Sequence, residues 1–136
     1  MLPFRWRKKM PEARKVVLIV EDELPLLNAI KTKLEAEGFD TVSARTADEA
    51  YNFLKDIKVD LIWLDHYLLG VQNGLNLAVK IKAQKDWKNI PIFVVSNTAD
   101  PEKVREYLRL GVTKYYPKIE YSLSDIIADI KQTLAK

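Results

Sequence analysis

Glu21 and Asp22 close one apolar run, Asp65 closes a second, Ser96 closes a third, and Lys118 follows the short run Tyr115-Tyr116-Pro117. Together they form a set of groups suited to handling phosphate. Three carboxylates brought close cannot all stay ionised unless a cation or a raised pKa relieves their repulsion. A hard, oxygen-seeking divalent ion meets that need, and Mg2+ suits a site with few carboxylates, several waters and a phosphoryl oxygen. With the charge offset, one carboxylate can act as a nucleophile and form an acyl phosphate. Transfer then needs mainly positioning and charge neutralisation, which Mg2+, a lysine ammonium and a hydroxyl supply. Asp22, Asp65, Ser96 and Lys118 contain each of these parts.

The elements that must bring these residues together are legible around them. Val16 to Val20, Leu61 to Leu64 and Ile92 to Val95 are aliphatic runs without alternation, as expected of strands buried on both faces of a parallel sheet. Ligands of such sheets sit at the carboxyl ends of the strands. Between the runs lie helical patterns. Leu24 to Glu37 carries Leu27, Ile30 and Leu34 and stops at Gly38. Thr41 to Ala44 is a short strand candidate, and Thr46-Ala-Asp-Glu49 opens the next helix as a capping box. After Gly70 and Gly74 a helix runs to about Asp86 with Leu77, Ala78 and Ile81 inward. Asp100-Pro101 starts another, whose Val104, Tyr107 and Leu108 form its apolar face up to Gly111. The last begins at Ser122 and carries Leu123, Ile126, Ile127, Ile130 and Leu134. Strictly alternating βα units predict an α/β, doubly wound (βα)5 fold, flavodoxin-like, with a five-stranded parallel sheet. The strand order 2-1-3-4-5 is one common solution and places Glu21, Asp22 and Asp65 at the switch point.

The segments VVLIVEDE, LIWLD, IFVVSN and YYPK, in this order and with helix-sized spacers, resemble the receiver domain of two-component response regulators from roughly Lys15 to the C-terminus. The resemblance implies that Asp65 is the phosphoacceptor, Asp22 a direct Mg2+ ligand and Glu21 a ligand acting mostly through water. It assigns the backbone carbonyl of Tyr67 to the same ion, Ser96 and Lys118 to phosphoryl oxygens, and Tyr115 to the aromatic that turns inward when Ser96 moves. Three positions depart from the pattern. Leu69 and Ile119 stand where prolines are usual, the first predicting a less rigid loop, and Asn97 stands where a small residue is common. With Tyr67, Asn97 is placed to narrow access to Asp65. His66, the only histidine, is expected to be exposed and without a role.

One domain suits 136 residues with 48% hydrophobic content. Without cysteine there is no disulfide, thiolate ligand or thiol catalysis. Residues 1–15 hold six cations against Glu12 alone, a net +5, which leaves the remainder of the +3 chain at −2. A generally basic nucleic-acid surface is therefore not indicated. Residues 1–14 read as a basic, disordered extension ahead of a receiver domain at 15–136, and Phe4 and Trp6 among cations could touch anionic lipid or nucleic acid. No stretch approaches the roughly 20 apolar residues of a membrane span, and the expected location is cytoplasmic.

The leading expectation is a single-domain response regulator that is not a conventional enzyme, since no output or DNA-binding domain follows the last helix. Its partners are a histidine kinase or phosphotransfer protein and a downstream protein bound in a phosphorylation-dependent way. The alternative is a pseudo-receiver that signals without phosphate. A dehalogenase-like phosphatase would need Asp-x-Asp after the first strand, where the chain has Glu21-Asp22-Glu23. Acids there would also repel a flavin phosphate.

Overall fold

The computed structural model describes residues 13–98 and 100–135. Five parallel strands form one sheet: β1 (Val16–Val20), β2 (Asp40–Ala44), β3 (Leu61–Leu64), β4 (Ile92–Ser96) and β5 (Lys114–Pro117). Five helices alternate with them: α1 (Leu24–Ala36), α2 (Ala47–Asp56), α3 (Gly74–Ala83), α4 (Pro101–Leu110) and α5 (Leu123–Leu134). The strand order is β2-β1-β3-β4-β5, as the sequence predicts. The basic extension, up to residue 12, lies outside the described residues.

The unbroken apolar runs are explained by two cores, one on each face of the sheet. Leu18, Val20, Ile62, Leu64, Ile92 and Val94 join buried residues of α2, α3 and α4 in one cluster. Val17, Ile19, Leu61, Trp63, Phe93 and Val95 join those of α1 and α5 in the other. Alternate side chains of each strand thus leave water on opposite faces, each fully buried Val, Leu, Ile or Phe contributing about 1.5–3 kcal/mol. Helix ends follow their local chemistry. Thr46 accepts the Glu49 N–H, Ser122 and Asp125 form a reciprocal capping box, and Gly111 closes α4 at φ 90°.

Two expectations change. Helix α3 ends at Ala83, about three residues early, because Gln84 turns extended and the following turn packs Trp87 edge-on against Tyr51, centroids 5.1 Å apart. On α4 only Tyr107 is buried, whereas Leu108 is exposed. The α5 stripe is core rather than a free face: Ile126, Ile127 and Ile130 are buried, and Leu123 and Leu134 pack beside them.

Candidate functional site

Strand register sets the site. Val20 pairs with Leu64, so Glu21 and Asp65 both stand one residue past neighbouring central strands. The Asp65 N–H donates to Val20 C=O at 2.9 Å, and the Glu21 N–H donates to Ala44 C=O at 3.0 Å. Ser96 pairs with Pro117, and the Lys118 N–H donates back to Ser96 C=O at 2.9 Å. Pro117, which lacks an N–H, is tolerated because β5 is an edge strand. Side chains from four loops therefore meet at one sheet edge.

The Lys118 ammonium sits between two buried acids, donating to Glu21 Oε1 at 2.9 Å and Asp65 Oδ2 at 3.1 Å. Glu21 is fully buried and Asp65 is 3% exposed. Burial, reinforced by the charge of Asp65, pushes the Glu21 carboxyl up to about 7 against the pull of Lys118 and the Glu23 N–H. Burial works to lower Lys118, but its bonds to Glu21 and the charge of Asp65 prevail and its pKa is raised. Ligand oxygens of Glu21, Asp22 and Asp65 lie within 4.8 Å of one another. Three hard donors so close, two of them bonded to one ammonium, fit a small divalent cation.

The loop after Asp65 is anchored on its inner side. Asp65 Oδ1 accepts the His66 N–H at 2.7 Å, and His66 C=O accepts the Gly74 N–H at 2.8 Å. His66 is not exposed as expected but 4% accessible, because its Nδ1 shares a 2.6 Å hydrogen bond with the hydroxyl of fully buried Tyr107. Burial, with Lys103 nearby, lowers the His66 pKa. Burial also raises that of Tyr107, which stays a neutral phenol. Tyr107→Phe should cost about 1–3 kcal/mol by leaving a buried ring nitrogen unpaired. Thermal unfolding of a double-mutant cycle with His66→Leu checks this. If Tyr107→Phe costs as much in the His66→Leu background, the hydrogen bond is not the source.

Other named residues sit around this frame. Ser96 is buried, and its Oγ accepts a weak bond from the Thr98 N–H at 3.4 Å. Tyr115 packs its ring against Tyr107 at 5.7 Å, and its hydroxyl donates to Thr98 C=O at 2.6 Å, bracing the loop after β4. Tyr67 is 56% exposed, edge-on to His66 at 4.9 Å. Asn97 is exposed and Ile119 is 89% exposed, so neither packs into the site. No peptide bond among the described residues is cis.

The loop with Leu69 has a tether that a proline could not provide: the Leu69 N–H donates to Arg45 C=O at 3.2 Å. Sequence reasoning missed Arg45 altogether. Its Nε and Nη2 donate to the Asp22 carbonyl at 3.0 and 2.7 Å. A lone arginine just past a strand carries no signal for such a contact.

Residues 17–131 match the family described as the response regulator receiver domain. The phosphate regulon transcriptional regulatory protein PhoB of Pseudomonas aeruginosa is 30% identical over 122 residues, covering 90% of this chain and 52% of that protein. The aerobic respiration control protein ArcA of Escherichia coli is 33% identical over 103 residues, covering 75% of this chain and 41% of that protein. The chain thus spans about half the length of the curated relatives it matches. Among solved structures, a CheY-like receiver domain protein from Methanospirillum hungatei superposes with a TM-score of 0.83 at 26% identity, covering 90% of this chain and 95% of that one. A receiver protein from Pseudomonas putida gives 0.80 at 28% identity, with coverages of 90% and 99%. Sequence match, strand order and structural likeness agree over the same stretch. The chain belongs to the receiver-domain family of two-component response regulators.

Proposed function

We propose that the chain takes a phosphoryl group onto Asp65 from a phosphohistidine on a kinase or phosphotransfer protein and passes the signal on by binding another protein. The convergence of Asp65 with Glu21, Asp22 and Lys118 at one sheet edge carries this reading. An Asp65 carboxylate oxygen attacks phosphorus, the bond from phosphorus to the donor's imidazole nitrogen breaks, and the electron pair leaves on that nitrogen. A mixed anhydride results, which water later hydrolyses. Glu21, Asp22, Asp65 and the Tyr67 backbone carbonyl are the residues assigned to hold Mg2+, which when bound offsets charge on the phosphoryl oxygens.

Lys118, already bonded to Asp65, neutralises a phosphoryl oxygen, and the Ser96 hydroxyl takes another. Tyr115, tied to Thr98 two residues beyond Ser96, carries the change to the face of α4, β5 and α5, where the partner binds. Tyr67 and Asn97 are exposed and follow closely on Asp65 and Ser96 in the chain; on this reading they narrow access to Asp65 and slow entry of the phosphodonor, of attacking water, or of both. A cytoplasmic location belongs to the same reading.

Acetyl phosphate with Mg2+ should add one phosphate by intact-mass measurement, abolished by chelation and in Asp65→Asn. No adduct on the wild type, or one that persists in Asp65→Asn, would sink the reading. Partner affinity indifferent to phosphorylation and to Asp65→Ala would favour a phosphate-independent module instead.

A further inference from the structure

We propose that Arg45 is a positioning residue for the cation-binding half of the site, holding in register the two loops that carry Asp22 and Asp65. The proposal rests on the metal reading given above.

Arg45 follows directly on the last residue of β2, a strand that contributes no acid to the site. Its guanidinium reaches the β1–α1 loop, where Nε and Nη2 converge on the Asp22 carbonyl oxygen at 3.0 and 2.7 Å. Two donors in one rigid plane fix the direction of that carbonyl more closely than a single bond does. A fixed carbonyl limits rotation of the Asp22 backbone and so the direction in which its carboxylate leaves the chain. The main chain of the same residue holds the other loop. Arg45 C=O accepts the Leu69 N–H at 3.2 Å, and Thr46 and Leu69 form an isolated parallel bridge. Leu69 lies four residues beyond Asp65, and Gly74 anchors the inner side of that loop through His66. One residue thus joins both acid-bearing loops from outside the acid cluster.

Charge and geometry predict opposite signs for removing this side chain. A guanidinium near a cation site repels the cation, so deletion acting through charge alone would tighten metal binding. Deletion acting through position would weaken it, and outer-shell partners of metal ligands typically matter by about 10–100-fold. A side chain that only stabilises the fold would lower the unfolding temperature and leave the affinity of the folded protein unchanged.

The test is a titration of the unphosphorylated full chain with Mn2+, with free ion read by electron paramagnetic resonance and folding checked by circular dichroism. Arg45→Ala should bind roughly tenfold more weakly than wild type. Arg45→Lys, which keeps the charge but loses the fork, should fall between the two. Lys131→Ala, which removes a cation paired with Glu37, serves as a charge-matched control and should match wild type.

Arg45→Ala binding within twofold of wild type, or tighter, overturns the proposal while leaving the metal reading intact. A wild type that binds no Mn2+ takes down both. If Arg45→Ala does not fold, Arg45→Lys decides by the same criterion. Amide hydrogen exchange gives an independent reading: protection of the Glu23 N–H, which bonds Glu21 Oε2 in the loop that the guanidinium holds, should fall in Arg45→Ala, whereas protection of Leu69, bonded to the Arg45 carbonyl that this substitution keeps, should survive.

Discussion

Gly74→Ala should lower the stability of the folded protein by about 3 kcal/mol or more and lower its unfolding temperature by roughly 10 °C. A methyl group at this position would lie 2.3 Å from the Asp65 carbonyl oxygen, and 2.9 Å from both His66 Cα and the Tyr107 hydroxyl. Two of the three are backbone atoms, so no flexible side chain can swing aside. The glycine is required by space rather than by conformation, since its φ is not positive. Relief must come from shifting the loop that carries Asp65, or from prying the first turn of α3 away from β3. Either movement also breaks the Gly74 N–H bond to His66, so metal affinity and phosphoryl uptake should fall along with stability. Gly70→Ala is the control. Gly70 has φ 88° but nothing within 4 Å of an added methyl, so only the left-handed backbone is penalised, by about 1–2 kcal/mol. Chemical unfolding of both variants decides: equal losses, or a larger loss at Gly70, would mean that the close approach at Gly74 is relaxed at little cost.

The same contact shows where the sequence was legible and where it was not. The positions of the three central strands follow from their residues alone, because runs such as Leu61 to Leu64 are apolar at every residue and only a sheet covered on both faces accommodates that. The meeting of Glu21, Asp22, Asp65 and Lys118 then follows from strand order, since each closes or follows a strand. What pattern could not supply is the anchoring of the loops. Tyr107 and Leu108 are adjacent on one apolar stripe, yet only Tyr107 enters the core. Its burial depends on a hydrogen-bond partner, His66, that lies 41 residues away. His66 looked exposed because a polar residue in a loop usually is. It is buried because Tyr107 satisfies its ring nitrogen and the absence of a side chain at Gly74 lets the start of α3 close onto the loop. The contacts of Arg45 and Leu69 were illegible for a related reason: the guanidinium lands on a backbone carbonyl, and the Leu69 tether joins a backbone N–H to another carbonyl, groups whose placement no side-chain pattern announces.

The loops differ in how they are fixed. On the Asp65 side the anchors are buried and short, and they run through His66, Gly74 and Tyr107. On the Asp22 side the anchor is one half-buried arginine. Loss of an inner anchor should therefore be felt as stability. Loss of the outer one should be felt mainly as metal affinity.

In the absence of divalent cations, the wild type should lose stability as pH rises from about 5 to about 8. Glu21 sets the sign. Burial and Asp65 raise its pKa from the usual 4.5 to about 7, so between those values the folded protein holds a proton that the unfolded chain has released. Unfolding then releases a proton, and raising the pH favours it. The full effect is on the order of 3 kcal/mol, reached above the folded-state pKa. His66 acts in the opposite direction. Burial lowers its pKa below 6.5, so its neutral form is favoured in the fold and its contribution grows as pH rises through that range. Lys118, raised above its ordinary range, titrates above the window, and Asp129, lowered by Tyr116, titrates below it. Glu21→Gln should abolish the decline and leave only the gentler rise due to His66. Added Mg2+ should stabilise the wild type more at pH 8 than at pH 5, because a cation that binds only the folded state adds stability as the logarithm of one plus the ratio of its concentration to its Kd, and the acids bind it more tightly once Glu21 has lost its proton. Urea unfolding across the window, with chelator and with Mg2+, measures all three. A flat wild-type profile, or one that declines equally in Glu21→Gln, would show that the buried carboxylate is already ionised at pH 5, with Lys118 fully offsetting the cost of burying it.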